Sequence, residues 1–258
     1  MSAIVIEGSL VHYETIGRGQ PTVFLHGWLG SWRYWMHSME ELAPSSRSYA
    51  LDLWGFGDTD RAAGRHTVDD YVMQLEAFLD TLGLWRVTLI GHALGAAVVI
   101  KFAGLFPVRV ERLMAISLPL SKSMVNRRAL TGGGALGLFG YRWQEHQEVA
   151  IESHKTHPDA INTSLDSLDA LDVEHELAML NMPLLLVHGA KDPIVKPFGE
   201  EILNPALPNT RLIPFENSRH FPMLEERNKF NRLLKDFFAT GDNLRALELK
   251  EEWRRRSR

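Results

Sequence analysis

Short runs of consecutive apolar residues alternate with amphipathic stretches along most of the chain. Thr22-Val23-Phe24-Leu25, Val87 to Ile90 and Pro183-Leu184-Leu185-Leu186-Val187 are apolar almost throughout, as strands buried on both faces must be. Ser48 to Leu53, Val110 to Leu118 and Arg211 to Phe215 read as further strands, and Ile4 to Ile6 with Leu10 to Ile16 as an opening antiparallel hairpin. Between them, Tyr71, Val72, Leu75, Phe78, Leu79 and Leu82 recur at helical spacing. That helix begins at Thr67, carries Asp69 and Asp70 in its first turn, where they favour the dipole, and ends at Gly83. Ser31 can cap a helix running from Trp32 to about Leu42, and Asn228 to Phe238 is the last helix of the body. Apolar strands alternating with amphipathic helices predict an α/β protein built on a mostly parallel, doubly wound sheet.

The alternation breaks between Pro119 and about Asn181. Gly132-Gly133-Gly134 is followed there by helical stretches, Arg142 to His154 and Leu168 to Leu180. A length of 258 residues suits one large domain with a small insertion. The expected division is therefore a core over 1–118 and 182–241, a helical cap over 119–181, and a charged tail over 242–258. Leu244, Leu247, Leu249 and Trp253 are the tail's apolar residues, and it ends Arg254-Arg255-Arg256-Ser257-Arg258, which reads as a solvated helix docked by a few leucines or as a contact for a partner subunit or an anionic surface.

Composition narrows the chemistry. The chain has no cysteine, which excludes disulfides, thiolate metal sites and a thiol nucleophile. A net charge of −4 gives no electrostatic case for nucleic acid or an anionic membrane. The first eight residues lack a basic and apolar leader, and the apolar run Val87 to Phe106 is broken by His92 and Lys101, so no membrane span and a cytoplasmic location are expected. Gly55-Phe56-Gly57 is too short for a dinucleotide fingerprint, and His154 with His157 lacks a third metal ligand at recognisable spacing. No cofactor or metal is implied.

The densest chemical signal is Gly91-His92-Ala93-Leu94-Gly95, between the β-branched run at Val87 and an apolar helix. It has the strand, sharp turn and helix of a nucleophile elbow, G-x-S-x-G, in which glycines flank a residue at strained φ/ψ. Here the chain resembles the α/β-hydrolase superfamily, whose common form of the motif is G-H-S-x-G. One residue departs from it: Ala93 stands in the nucleophile position. The resemblance extends from Ile4 to about Ala239 through three further ordered motifs: His26-Gly27, Asp52-Leu53-Trp54-Gly55-Phe56-Gly57, and a pair of loops carrying an acid and a histidine. It implies the α/β-hydrolase fold and the serine esterase-like members, which include carboxylesterases, lipases, perhydrolases and C–C bond hydrolases.

The resemblance also assigns roles. Asp192, in His188-Gly189-Ala190-Lys191-Asp192-Pro193, takes the acid role, and His220, in Ser218-Arg219-His220-Phe221-Pro222, the base role, with Arg219 where the family usually has glycine. Asp52 is a rival acid, or else binds backbone in its glycine-rich loop. The oxyanion hole is expected from the backbone N–H groups of Leu94 and Trp28, which do not depend on the side chain at position 93. His26, Gly27, Trp28, His92, Leu120, Tyr141 and Phe221 are the expected substrate contacts, and the apolar Trp28, Trp32, Trp35, Phe56, Leu94, Leu120, Phe139, Tyr141 and Phe221 suggest an apolar acyl or aryl ester as the small-molecule partner. Alanine has no lone pair to attack a carbonyl, so the covalent route is closed to the chain as it stands. Three readings of Ala93 remain open: an engineered serine-to-alanine variant of an active esterase, a natural protein that binds an apolar ligand in the old pocket, and an enzyme using His220 as a base without a covalent step.

Overall fold

The structure, a computed structural model, describes residues 2–61, 64–131, 146–202, 209–241, 244 and 247. Its centre is an eight-stranded sheet of order β1(Ser2–Ile6), β2(Ser9–Gly17), β4(Ser46–Leu51), β3(Gln20–Leu25), β5(Val87–His92), β6(Val110–Ile116), β7(Leu184–Gly189), β8(Thr210–Phe215). The opening hairpin is antiparallel, as is the pairing of β2 with β4, and every pairing from β4 through β8 is parallel. The three apolar runs lie in β3, β5 and β7, each flanked by strands on both sides, and β5 and β7 are buried at every position.

Strand order reverses around β3. The chain leaves β3 for β4 on one side, then returns to place β5 on the other. The crevice outside the carboxyl ends of the strands at such a switch point is where open α/β sheets bind ligands. His26-Gly27 leaves β3 at that point and Ala93 leaves β5.

Helices flank the sheet. A 3-10 turn over Trp32–Trp35 precedes α1(Met36–Leu42), with the Ser31 hydroxyl accepting from the Arg33 N–H as the cap. α2(Val68–Thr81) begins at Thr67 with a full capping box, the Thr67 and Asp70 side chains each satisfying the other's backbone N–H. α3(Leu94–Leu105) is apolar apart from Lys101, which pairs with Asp69 of α2, and is correspondingly central, buried over most of its length. Between β6 and β7 come α4(Arg127–Thr131), α5(Gln147–Lys155), α6(Pro158–Ser167) and α7(Val173–Met179). α8(Pro222–Glu225) and α9(Arg227–Ala239) close the body, and α9 is tied to α1 by a 2.8 Å hydrogen bond from the Ser38 hydroxyl to the side-chain amide oxygen of Asn231. Leu244 and Leu247 of the tail are buried, while Gly132 to Gly134, Phe139, Tyr141 and the basic end of the tail lie outside the described residues. Among the described residues no helix is long and apolar enough to cross a membrane.

The glycines of the elbow answer to sterics. A Cβ on Gly95 would lie 2.5 Å from the Leu25 carbonyl oxygen and 2.6 Å from that of His26, where α3 crosses the end of β3. Those neighbours are backbone and cannot swing aside. Gly95→Ala is therefore expected to lower the unfolding free energy by about 3 kcal/mol, read from the denaturant midpoint at unchanged slope.

Candidate active site

Ala93 joins β5 to α3 at φ 49° and ψ −109°, a conformation that costs a residue with a Cβ about 1–3 kcal/mol. Its N–H donates to the Ile116 carbonyl at 2.8 Å, which pins the turn to the end of β6. On the far side, Gly27 makes room: a Cβ there would stand 2.8 Å from both the Ala93 methyl and His92 Nδ1. The elbow is thus formed and buried with a methyl group at its tip.

Asp192 and His220 arrive from β7 and β8. The two loops that carry them are zipped together by Ala190 N–H to the Phe215 carbonyl and Lys191 N–H to the Ser218 carbonyl, both at 3.0 Å. His220 Nδ1 lies 2.8 Å from Asp192 Oδ2. The other carboxylate oxygen accepts the N–H groups of Ile194 at 2.8 Å and Val195 at 3.0 Å. Burial alone would raise the Asp192 carboxyl, but the His220 ring and these two N–H groups outweigh it and hold it below the usual range. A carboxylate only accepts, so Nδ1 of His220 carries a hydrogen, and in the neutral imidazole Nε2 is then the bare nitrogen. That buried Nε2 has no hydrogen-bond partner among the described residues. Arg219 is not among the residues at positive φ, so the loop makes no use of the freedom a glycine would give it there.

His26 is spent within the chain. Its Nδ1 donates to the Gly27 carbonyl at 2.8 Å and its Nε2 accepts the Leu53 N–H at 3.0 Å, and burial holds it below the usual imidazole range. Asp52 is likewise occupied, accepting from Trp32 N–H at 2.7 Å, Asp58 N–H at 2.9 Å and His12 Nδ1 at 3.1 Å, so it clamps the loop after β4. Trp28 is fully buried and points its indole N–H at the Ser164 hydroxyl of α6, 2.9 Å away. The backbone N–H groups of Trp28 and of Leu94, the latter at the first position of α3, have no acceptor among the described residues. Phe221 packs edge-on against Tyr34 and His220, at 5.3 Å and 4.8 Å between ring centres, and His146 reaches it from the start of α5 at 6.3 Å. Leu120 is nearly buried beyond the end of β6, and Trp35 packs against Phe24 in the core. Tyr141 lies outside the described residues.

Sequence reading missed an ion quartet beside this site. Arg33 Nη1 lies 3.0 Å from both Asp58 and Glu152, and Lys155 Nζ lies 2.7 Å from Asp58 and 3.2 Å from Glu152. The ring of alternating charge joins the turn before α1 and the loop after β4 to α5. Glu152 is fully buried and the other three are about one-third exposed. Partial burial would raise the Asp58 carboxyl, but hydrogen bonds from Lys155 and Arg33 override it and bring it down to about 2. Folding therefore lowers this group below its unfolded value of about 4, so its stabilisation is complete above that pH and is lost as the pH falls from about 4 to about 2. After discounting for exposure, Asp58→Asn is expected to cost about 1 kcal/mol at neutral pH, with the difference from the unaltered chain closing over that window in urea titrations.

Comparison with known proteins fits this geometry. A family model described as the alpha/beta hydrolase fold matches residues 20–143, which include the His26-Gly27 loop and the elbow. The chain is 29% identical to 2-hydroxy-6-oxo-2,4-heptadienoate hydrolase of Pseudomonas putida, covering 93% of this chain and 96% of that one. It is 25% identical to pimeloyl-acyl-carrier-protein methyl ester esterase of Vibrio campbellii, covering 89% and 98%. A serine-to-alanine variant of the meta-cleavage product hydrolase of Pseudomonas fluorescens IP01, complexed with acetates, superposes with a TM-score of 0.78 at 22% identity over 93% of this chain and 98% of that one. The parallel sheet, the elbow at its switch point and these relatives agree, and the protein has the α/β-hydrolase fold, with hydrolases of that superfamily among the proteins it is similar to.

Proposed function

We propose that this site is built to hydrolyse carboxylic esters, with position 93 as the nucleophile position, His220 as the base, Asp192 as its orienting acid, and the N–H groups of Trp28 and Leu94 as the oxyanion hole. The observation that carries the reading is the bare Nε2 of a His220 already fixed by Asp192, on loops next to an elbow already strained into shape. In a serine enzyme Nε2 takes the hydroxyl proton, the oxygen attacks the carbonyl, and the two N–H groups meet the developing oxyanion. Alanine removes only the attacking oxygen. The chain as it stands then binds the ester and turns it over at the rate of water attack assisted by His220 and the oxyanion hole. The described helices between β6 and β7, α4 to α7, serve as a cap over the acyl pocket, whose apolar walls include Leu120 and Phe221.

A second reading is cleavage of a carbon–carbon bond next to a carbonyl, favoured by the similarity to the heptadienoate hydrolase. The same base and the same two donors serve it. The experiment that tests the ester reading is hydrolysis of p-nitrophenyl esters of graded acyl length by this chain and by Ala93→Ser. Turnover gained on serine and falling with polar acyl groups supports it. No gain on esters, with gain on a vinylogous diketone, transfers the site to carbon–carbon cleavage.

A further inference from the structure

His92 takes no part in the chemistry outlined above, yet it is completely buried against the base. Its Nε2 lies 2.8 Å from the backbone carbonyl of His220, and the two rings are 4.6 Å apart between centres. A carbonyl only accepts, so Nε2 carries the hydrogen and donates it. The opposite nitrogen, Nδ1, is buried without a hydrogen-bond partner among the described residues, facing Gly27. The same His220 carbonyl accepts a second, longer bond of 3.3 Å from the Ser117 hydroxyl, just past the end of β6.

These contacts settle what the Asp192 bond alone leaves open. One hydrogen bond to Nδ1 lets an imidazole pivot about that bond, whereas a second anchor on the same residue's backbone fixes where the ring starts from. His92 precedes Ala93 directly, so the anchor ties the base to the elbow whose reactive atom it must meet. A leucine or phenylalanine would fill the space without stranding a buried nitrogen, so the stranded Nδ1 is explained by the N–H on the other side of the ring. Burial, with His220 adding to it, keeps His92 well below the usual imidazole range, so the ring stays neutral next to a base that must itself gain a proton.

We propose that His92 is a positioning residue, whose Nε2–H holds the His220 backbone and so aims the bare Nε2 of His220 at the tip of the elbow. The assignment rests on His220 being the base, and the test is read without turnover so that the two can fail separately. Proton NMR of the full chain should show the hydrogen-bonded Nδ1 proton of His220 far downfield, assigned by its loss in His220→Gln. His92→Gln keeps an amide N–H within reach of the carbonyl and should keep the line. His92→Phe keeps the ring contacts and loses the donor, and should exchange that proton with solvent about tenfold faster at an undiminished melting temperature. Ser117→Ala, which leaves His92 in place, should change the exchange by less than about threefold. A line absent from the unaltered chain, or as slow to exchange in His92→Phe, or lost equally in His92→Gln, overturns the assignment. If His92→Phe does not fold, a tenfold acceleration in Ser117→Ala overturns it, because Ser117 is then the anchor, and slow exchange in that variant upholds it. An Ala93→Ser protein that hydrolyses nothing defeats the ester reading and leaves these lines unchanged.

Discussion

Ala93→Ser is expected to raise the turnover of short-chain p-nitrophenyl esters by about five to six orders of magnitude, with an initial burst of nitrophenolate equal to the enzyme present. The size follows from what the oxygen is worth. Removing the serine from an intact serine hydrolase costs about a millionfold in turnover, while the oxyanion hole and binding retain about a thousandfold over water. The gain should be nearly complete because nothing else has to be rebuilt. The turn at φ 49° already exists, Gly27 already leaves room beside the Ala93 methyl, and His220 already presents a bare Nε2 with Asp192 behind it. The burst reports a covalent acyl-enzyme, which water attack on the present chain cannot give. A folded Ala93→Ser protein with no gain on any ester would show a pocket no longer shaped for acyl transfer, and would favour ligand binding or proton abstraction by His220.

The sheet was legible because its signals are local and redundant. Val87 to Ile90 is apolar except at Thr88 and is buried at every position, and the Thr67-to-Gly83 punctuation delimits a helix whose capping box needs only four residues. The elbow was legible for the same reason, since two glycines four residues apart serve one backbone turn. The helices between β6 and β7 were harder to read. α6, which begins at Pro158 behind His157, was not singled out, and part of its meaning lies in Ser164 receiving the Trp28 indole from 136 residues away. The ion quartet is another such case: Arg33 and Glu152 are 119 residues apart, and charges in an amphipathic helix look alike in sequence whether they face water or one another. Ser117 carries no motif, and only its position at the end of β6 and its φ of 48° single it out once the fold is known.

The same backbone economy explains why the functional groups cluster although their numbers do not. The four loops that leave β3, β5, β7 and β8 bring Gly27, Ala93, Asp192 and His220 together at the carboxyl ends of the strands, where main-chain bonds between loops are joined by the Asp192 carboxylate and by the His92 and Ser117 side chains in holding them. Ala93 hangs from the Ile116 carbonyl, and the loops that carry Asp192 and His220 are bonded to each other through Lys191 and Ser218. An isosteric substitution that keeps these bonds, such as Asp192→Asn, should therefore leave the fold standing, which makes activity changes interpretable.

Asp192→Asn in the Ala93→Ser background is expected to lower turnover by about ten-thousandfold with little change in melting temperature. Asparagine matches aspartate in shape, and its single oxygen has two claims on it. The N–H groups of Ile194 and Val195, at 2.8 Å and 3.0 Å from Oδ1, can only donate, so the oxygen stays with them and the amide NH2 turns toward His220. A donor now faces Nδ1, which must give up its hydrogen to accept it. The hydrogen moves to Nε2, the atom that has to take the proton from serine, and the base is lost although every heavy atom is in place. The aspartate charge that steadies the imidazolium is lost with it. Because the two Asp192 oxygens divide their work between loop and base, the outcome separates the roles: an unchanged melting temperature with collapsed turnover assigns Asp192 to the base, whereas a loss of less than about tenfold would mean that His220 is set in its tautomer by something else, and the acid role would have to be sought elsewhere in the site.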